Sequence, residues 1–151
     1  MKSKTKIIIT STVVFIIICG LGFILRPLSF DTSFKKISIK YSEPASDGTS
    51  AIYTAMFDFT SHDAEFEHIK QILRKYTFHQ GLKTKFMNSV SWEGPGYSIS
   101  INMVYENKVN VMTITKSPYL AIGQNIYRMG YWNNTIIVAL GSELIEALGI
   151  D

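Results

Sequence analysis

Residues 61–68, SHDAEFEH, gather two of the chain's three histidines and three carboxylates into eight positions. Imidazoles and carboxylates are ligands of zinc and the acid–base groups of hydrolysis, so chemistry is first sought here. The spacing argues against a shared ion. Two histidines on one helix converge on a metal when they stand four residues apart, as in H-E-x-x-H, whereas His62 and His68 are six apart. At about 100° per residue the two rings point about 120° away from each other. Phe66, Ile69, Leu73 and Tyr76 fall within about 40° of His62 on the same wheel. His62 and Glu65 therefore border the apolar face, where His79 or Asp58 from elsewhere would have to complete a site.

A simpler account covers the same residue types. Thr60-Ser61-His62-Asp63 has the form of a capping box, and Asp63, Glu65 and Glu67 place negative charge at the start of a helix dipole. Lys70, Arg74 and Lys75 supply the opposite charge toward its end. The expectation is a helix from roughly His62 to Tyr76, with no catalytic residue assigned. No metal is favoured, and His62, Glu65 and His79 form the alternative ligand set.

Other catalytic patterns fail on context. Ser33-Phe34-Lys35-Lys36 matches S-x-x-K and Ser100-Ile101-Asn102 matches S-x-N, two elements of penicillin-binding enzymes. Lys83-Thr84-Lys85 lacks the glycine of the third element and precedes the S-x-N, which makes the pair a coincidence. The chain contains no G-x-S-x-G, no P-loop, no dinucleotide fingerprint and no EF-hand loop. Aromatic residues crowd the C-terminal half. On strands such rings pack cores, but Trp92 and Trp132, beside turns, together with Tyr97 and Tyr131, are candidates for a binding surface. Asn133-Asn134-Thr135 matches a glycosylation sequon, meaningful only in a eukaryotic secretory setting.

The elements that would carry these residues start with an anchor. Ile7 to Leu25 is a run of 19 residues without charge, preceded by Lys2, Lys4 and Lys6 and followed by Arg26-Pro27. As a helix it would nearly match a hydrocarbon core of about 30 Å. The lysine bias favours a cytoplasmic N-terminus and an extracytoplasmic domain at the plasma membrane, although Lys35 and Lys36 lie on the far side. Cleavage near Gly22, giving a secreted protein, is the alternative. Cys19 lies inside the apolar run after Ile16-Ile17-Ile18, a poor lipoprotein site. The rest of the chain has no disulfide and no thiolate ligand.

Charge divides by segment. Four of the 15 basic residues flank the anchor, leaving 11 against all 12 acidic residues beyond it. A domain at −1 offers no basic face for nucleic acid.

The organisation expected is a cytoplasmic tip at 1–6, a transmembrane anchor at 7–25, a linker at 26–36 and one domain at 37–151. Period-2 alternation reads as strands at 37–42, 51–59, from Tyr97 to Tyr105 and from Lys108 to Thr115, the last two forming a hairpin through Glu106-Asn107-Lys108. Shorter strands are expected at 118–122 and 125–132, in TIIVAL at 135–140, and around Leu82–Met87. A short C-terminal helix from Glu143 to Leu148 would have Ser142 as N-cap and Gly149 beyond its end. The fold class is α+β: an N-terminal transmembrane helix, then a mainly antiparallel sheet packed by one long helix and that short one.

The lysine-tipped MKSKTKIIITSTVVFIIICGLGFIL, followed by strands around FTSHDAEFEHIKQIL, resembles the small membrane-anchored proteins of unknown function of Gram-positive bacteria. The likeness is architectural and implies an envelope location. The functional expectation is a non-enzymatic interaction or ligand-binding module of accessory, sensor or immunity type. It would sit in the bilayer through residues 7–25, meet a membrane or envelope protein or a small ligand, and need no cofactor. A small membrane-tethered hydrolase, with or without a metal, is the alternative.

Overall fold

A computed structural model of the chain describes residues 2–44, 52–85, 87, 96–130 and 135–150. The expectations placed on Trp92, Tyr131 and Trp132 lie outside the described residues.

Alternation of apolar and small polar residues builds the sheet. In β2 (Lys36–Pro44), Ile37, Ile39 and Tyr41 are buried, while Ser38, Lys40 and Ser42 turn to the opposite face. β5 (Ser98–Val104) repeats this with Ile99, Ile101 and Met103, and β6 (Val109–Thr115) with Met112 and Ile114. With β3 (Ile52–Thr60), β7 (Tyr119–Ile122) and β8 (Asn125–Arg128), they form a six-stranded sheet in the order β3-β2-β5-β6-β7-β8. Every pairing in it is antiparallel, as hairpin connections allow. Gly123, at φ 58°, supplies the left-handed residue of the β7–β8 turn.

Two helices of similar length cover the apolar face, so the fold is α+β. α2 (Ala64–Lys75) buries Phe66, Ile69, Ile72 and Leu73. α4 (Thr135–Ala147) buries Ile137, Leu140, Gly141 and Leu144. This corrects two sequence expectations: TIIVAL is not a strand, and the C-terminal helix is not a short one capped by Ser142. The spacing 137, 140/141, 144 is helical, and the helix passes through Gly141 because the Tyr97 side chain occupies the space that a Cβ there would need, its Oη 2.0 Å from that position. Gly149, at φ 64°, follows the helix as expected.

α2 starts later than its wheel implied. Asp63 is the N-cap residue, and its Oδ2 accepts from the Thr60 N–H at 2.7 Å and hydroxyl at 3.0 Å. Thr60 is the last residue of β3, so only the backward half of the capping box forms, and His62 lies in the turn outside the helix. At the other end the Tyr76 hydroxyl (2.7 Å) and Lys75 Nζ (2.9 Å) both reach Glu143, tying α2 to α4. The segment expected as a strand at Leu82–Met87 holds one helical turn, α3 (Leu82–Lys85), started by Thr84 Oγ1 accepting from the Gly81 N–H at 2.9 Å.

Within residues 26–36, read as linker, two aromatic side chains join the core while most of the others stay exposed. β1 (Leu28–Ser29) pairs with β4 (Thr77–Phe78), and Phe30 and Phe34 are buried in the core. Phe34 meets Phe66 edge-on at 5.5 Å and Tyr105 at 6.1 Å, with Lys70 Nζ 5.4 Å above its ring. Arg74 Nε donates to Thr32 at 3.0 Å, the Tyr105 hydroxyl donates to the Asp31 carbonyl at 2.8 Å, and Lys35 pairs with Glu106. The apolar spacing Phe30–Phe34 was the available sign of this.

α1 (Lys2–Ile24) carries the apolar run, and every described side chain from Ile9 to Gly22 is exposed. Among the described residues no helix is long and apolar enough to cross a membrane.

Candidate functional site

The histidines do not come together. His62 is exposed after β3, at one edge of the sheet, and Glu65 is exposed in the first turn of α2. His79 is buried beyond the opposite edge, where its N–H and carbonyl pair with those of Arg128 in β8 at 3.0 and 2.9 Å. β3 and β8 stand five strand intervals apart, about 24 Å at ~4.8 Å each. Among the described residues no group of three or more histidine, cysteine or acidic side chains is disposed to hold a metal ion. Burial, and secondarily the charge of Arg128, hold the His79 imidazole below its ordinary range.

Tyr97 is the one described member of the aromatic set. Its ring stacks on Tyr41 at 6.2 Å on the helix-covered face, and its hydroxyl, pressed onto Gly141, is buried without a hydrogen-bond partner. Burial pushes that phenol's pKa up. Packing accounts for this residue.

The opposite face of the sheet carries the more suggestive geometry. Two rows of small polar side chains cross it. Lys40, Ser100, Thr113 and Ala121 are successive cross-strand neighbours from β2 to β7. Ser42, Ser98 and Thr115 form the row beside them. These seven residues line a groove of about 330 Å³. It exists because the alternating positions hold serine, threonine and alanine, while Lys40 rises at one side. At the other side α3 packs against β8 and brings Lys83 Nζ to 5.8 Å from the Tyr119 ring.

The groove's electrostatics are one-sided. Ser100 and Thr113 share a hydroxyl–hydroxyl hydrogen bond at 3.3 Å, and Thr115 Oγ1 accepts from the Ser117 N–H at 3.2 Å. Each hydroxyl combines one donor with two acceptor sites, so the rows retain capacity for a ligand. No carboxylate lines the groove. Lys40 is exposed and, among the described residues, has no acidic partner within ion-pair distance. The face's nearest carboxylate by register is Asp58, on β3 opposite Ser38, diagonal to Lys40. One cation and several neutral donors therefore line this face.

Of these residues the sequence alone singled out only Ser100, within the S-x-N match. The available signal was that the outward half of the alternation, S-x-K-x-S, S-x-S-x-N and T-x-T, is small and hydroxylated with Lys40 as its single charge. Compared with known protein families, curated proteins and solved structures, the chain matches none of them.

Proposed function

We propose that the protein is a membrane-anchored, non-enzymatic binding module that holds an anionic group, such as a phosphate or carboxylate, in the groove beside Lys40. The ligand is a small molecule or part of a membrane or envelope partner. The observation that carries this reading is a cation that forms no ion pair among the described residues, set beside rows of hydroxyls in a recess of about 330 Å³. A hydrogen bond to a charged group contributes about 1.5–3 kcal/mol, enough for one lysine to decide whether an anion stays.

Anchoring at the outer face of the plasma membrane is supported by the charge-free run from Ile7 to Leu25 and its lysine flank. Exposed apolar side chains lie on all sides of α1 from Val13 to Leu21, as a lipid-covered helix requires.

The test is titration of the detergent-solubilised full chain with inorganic phosphate and with acetate, followed by calorimetry. Lys40→Ala is expected to weaken binding about 10- to 100-fold, the equivalent of that hydrogen bond. Identical binding by the variant contradicts the assignment.

A further inference from the structure

We propose that β3 is a self-association edge: two copies pair their β3 strands antiparallel about a two-fold axis at Met56, making one continuous sheet. The two edges of the sheet are treated differently. β8 is four residues long, is bridged by His79 through Arg128 and has α3 packed against it. β3 is nine residues long and, among the described residues, pairs with β2 alone, in unbroken register from Lys36–Thr60 to Pro44–Ile52. Its sequence, IYTAMFDFT, has no lysine, proline, glycine or bulge, so of the devices that keep exposed edges from pairing it carries only the single charge of Asp58.

The backbone polarity of this edge can be read from its end. The Thr60 N–H and carbonyl turn away from β2 and are taken by Asp63, at 2.7 Å through Oδ2 and 3.0 Å through its N–H. Outward-facing groups recur at every second residue, so those of Ile52, Thr54, Met56 and Asp58 face the open edge. Beside them Ile52, Tyr53 and Met56 are 70%, 52% and 69% exposed.

The side-chain order is self-complementary when a second copy is the partner. With Met56 facing Met56 of the second copy, Thr54 faces Asp58, Tyr53 faces Phe59 and Ala55 faces Phe57. The strand's one charge thus meets a hydroxyl, and its aromatic rings meet apolar partners. Sliding the register by two sets Asp58 against Ile52 and shortens the ladder. A two-fold axis perpendicular to the sheet keeps both helical layers on one side, an arrangement open to two chains tethered in one membrane.

Disulfide trapping in the full chain, with Cys19→Ser as background, tests the axis. Cα atoms of a directly opposed hydrogen-bonded pair lie about 5.5 Å apart, within disulfide range, whereas Thr54 and its copy would be about 14 Å apart. Met56→Cys is expected to form a covalent dimer on mild oxidation. Thr54→Cys alone should not, but Thr54→Cys mixed with Asp58→Cys should. Met56→Lys is expected to halve the particle mass of the detergent-solubilised chain with an unchanged circular dichroism spectrum. A monomeric wild type, no Met56→Cys dimer, crosslinking to a different protein instead of itself, or equal trapping by Thr54→Cys would each overturn the proposal.

Discussion

At the scale of single residues, the contact between Tyr97 and Gly141 sets two effects against each other. Alanine in a helix interior is favoured over glycine by about 1 kcal/mol. A Cβ at Gly141, however, would stand 2.0 Å from the Tyr97 Oη and 2.8 Å from Cζ, so the clash wins. Gly141→Ala is expected to lower stability by about 1–3 kcal/mol in urea unfolding, the usual cost of overpacking. Tyr97→Phe removes a buried, unpartnered hydroxyl and should be neutral or stabilising alone, while recovering part of the loss in the double variant. His79 makes a pH prediction. Its folded pKa lies below the ordinary 6.5, so the unfolded chain binds the proton more readily. Its contribution is therefore fully present above pH 6.5 and is lost as pH falls through the window beneath that value. Urea midpoints at pH 7.5 and 5.5 should show a larger fall for wild type than for His79→Gln.

At the scale of elements, the segment before β2 behaves as part of the domain. Phe34 is 1% exposed and lies against Phe66, so Phe34→Ala is expected to cost about 3–5 kcal/mol, measured by the same unfolding. A free linker would lose almost nothing. The strands were legible because their alternation is regular: Ile37-x-Ile39-x-Tyr41 and Ile99-x-Ile101-x-Met103 state which face is buried. α2 was legible from Phe66, Ile69 and Leu73, though its start was set by Thr60 ending a strand, a tertiary fact. α4 was not, because Gly141 reads as a break until Tyr97 explains it, and TIIVAL fits a strand and a helix equally by pattern. The groove was hidden for a related reason: hydroxyl rows arise only when register aligns residues from separate strands.

At the scale of the whole molecule, an apolar N-terminal helix precedes a sheet with one helix-packed face and one polar face. If residues 7–25 anchor the chain in the bilayer, the protein stays with membranes after alkaline carbonate washing, and Ile16→Lys, at a cost of about 2.5–3.5 kcal/mol at the span centre, increases the released fraction. Function, on this account, resides in the polar face. The most direct test is an amide NMR titration of the full chain in detergent with inorganic phosphate. Saturable shifts are expected, centred on Ser42, Ser98, Ser100, Thr113 and Thr115, moved to about 10- to 100-fold higher phosphate in Lys40→Ala and weakened by added salt. Shifts that never saturate, that centre elsewhere, or that persist unchanged in Lys40→Ala would contradict it.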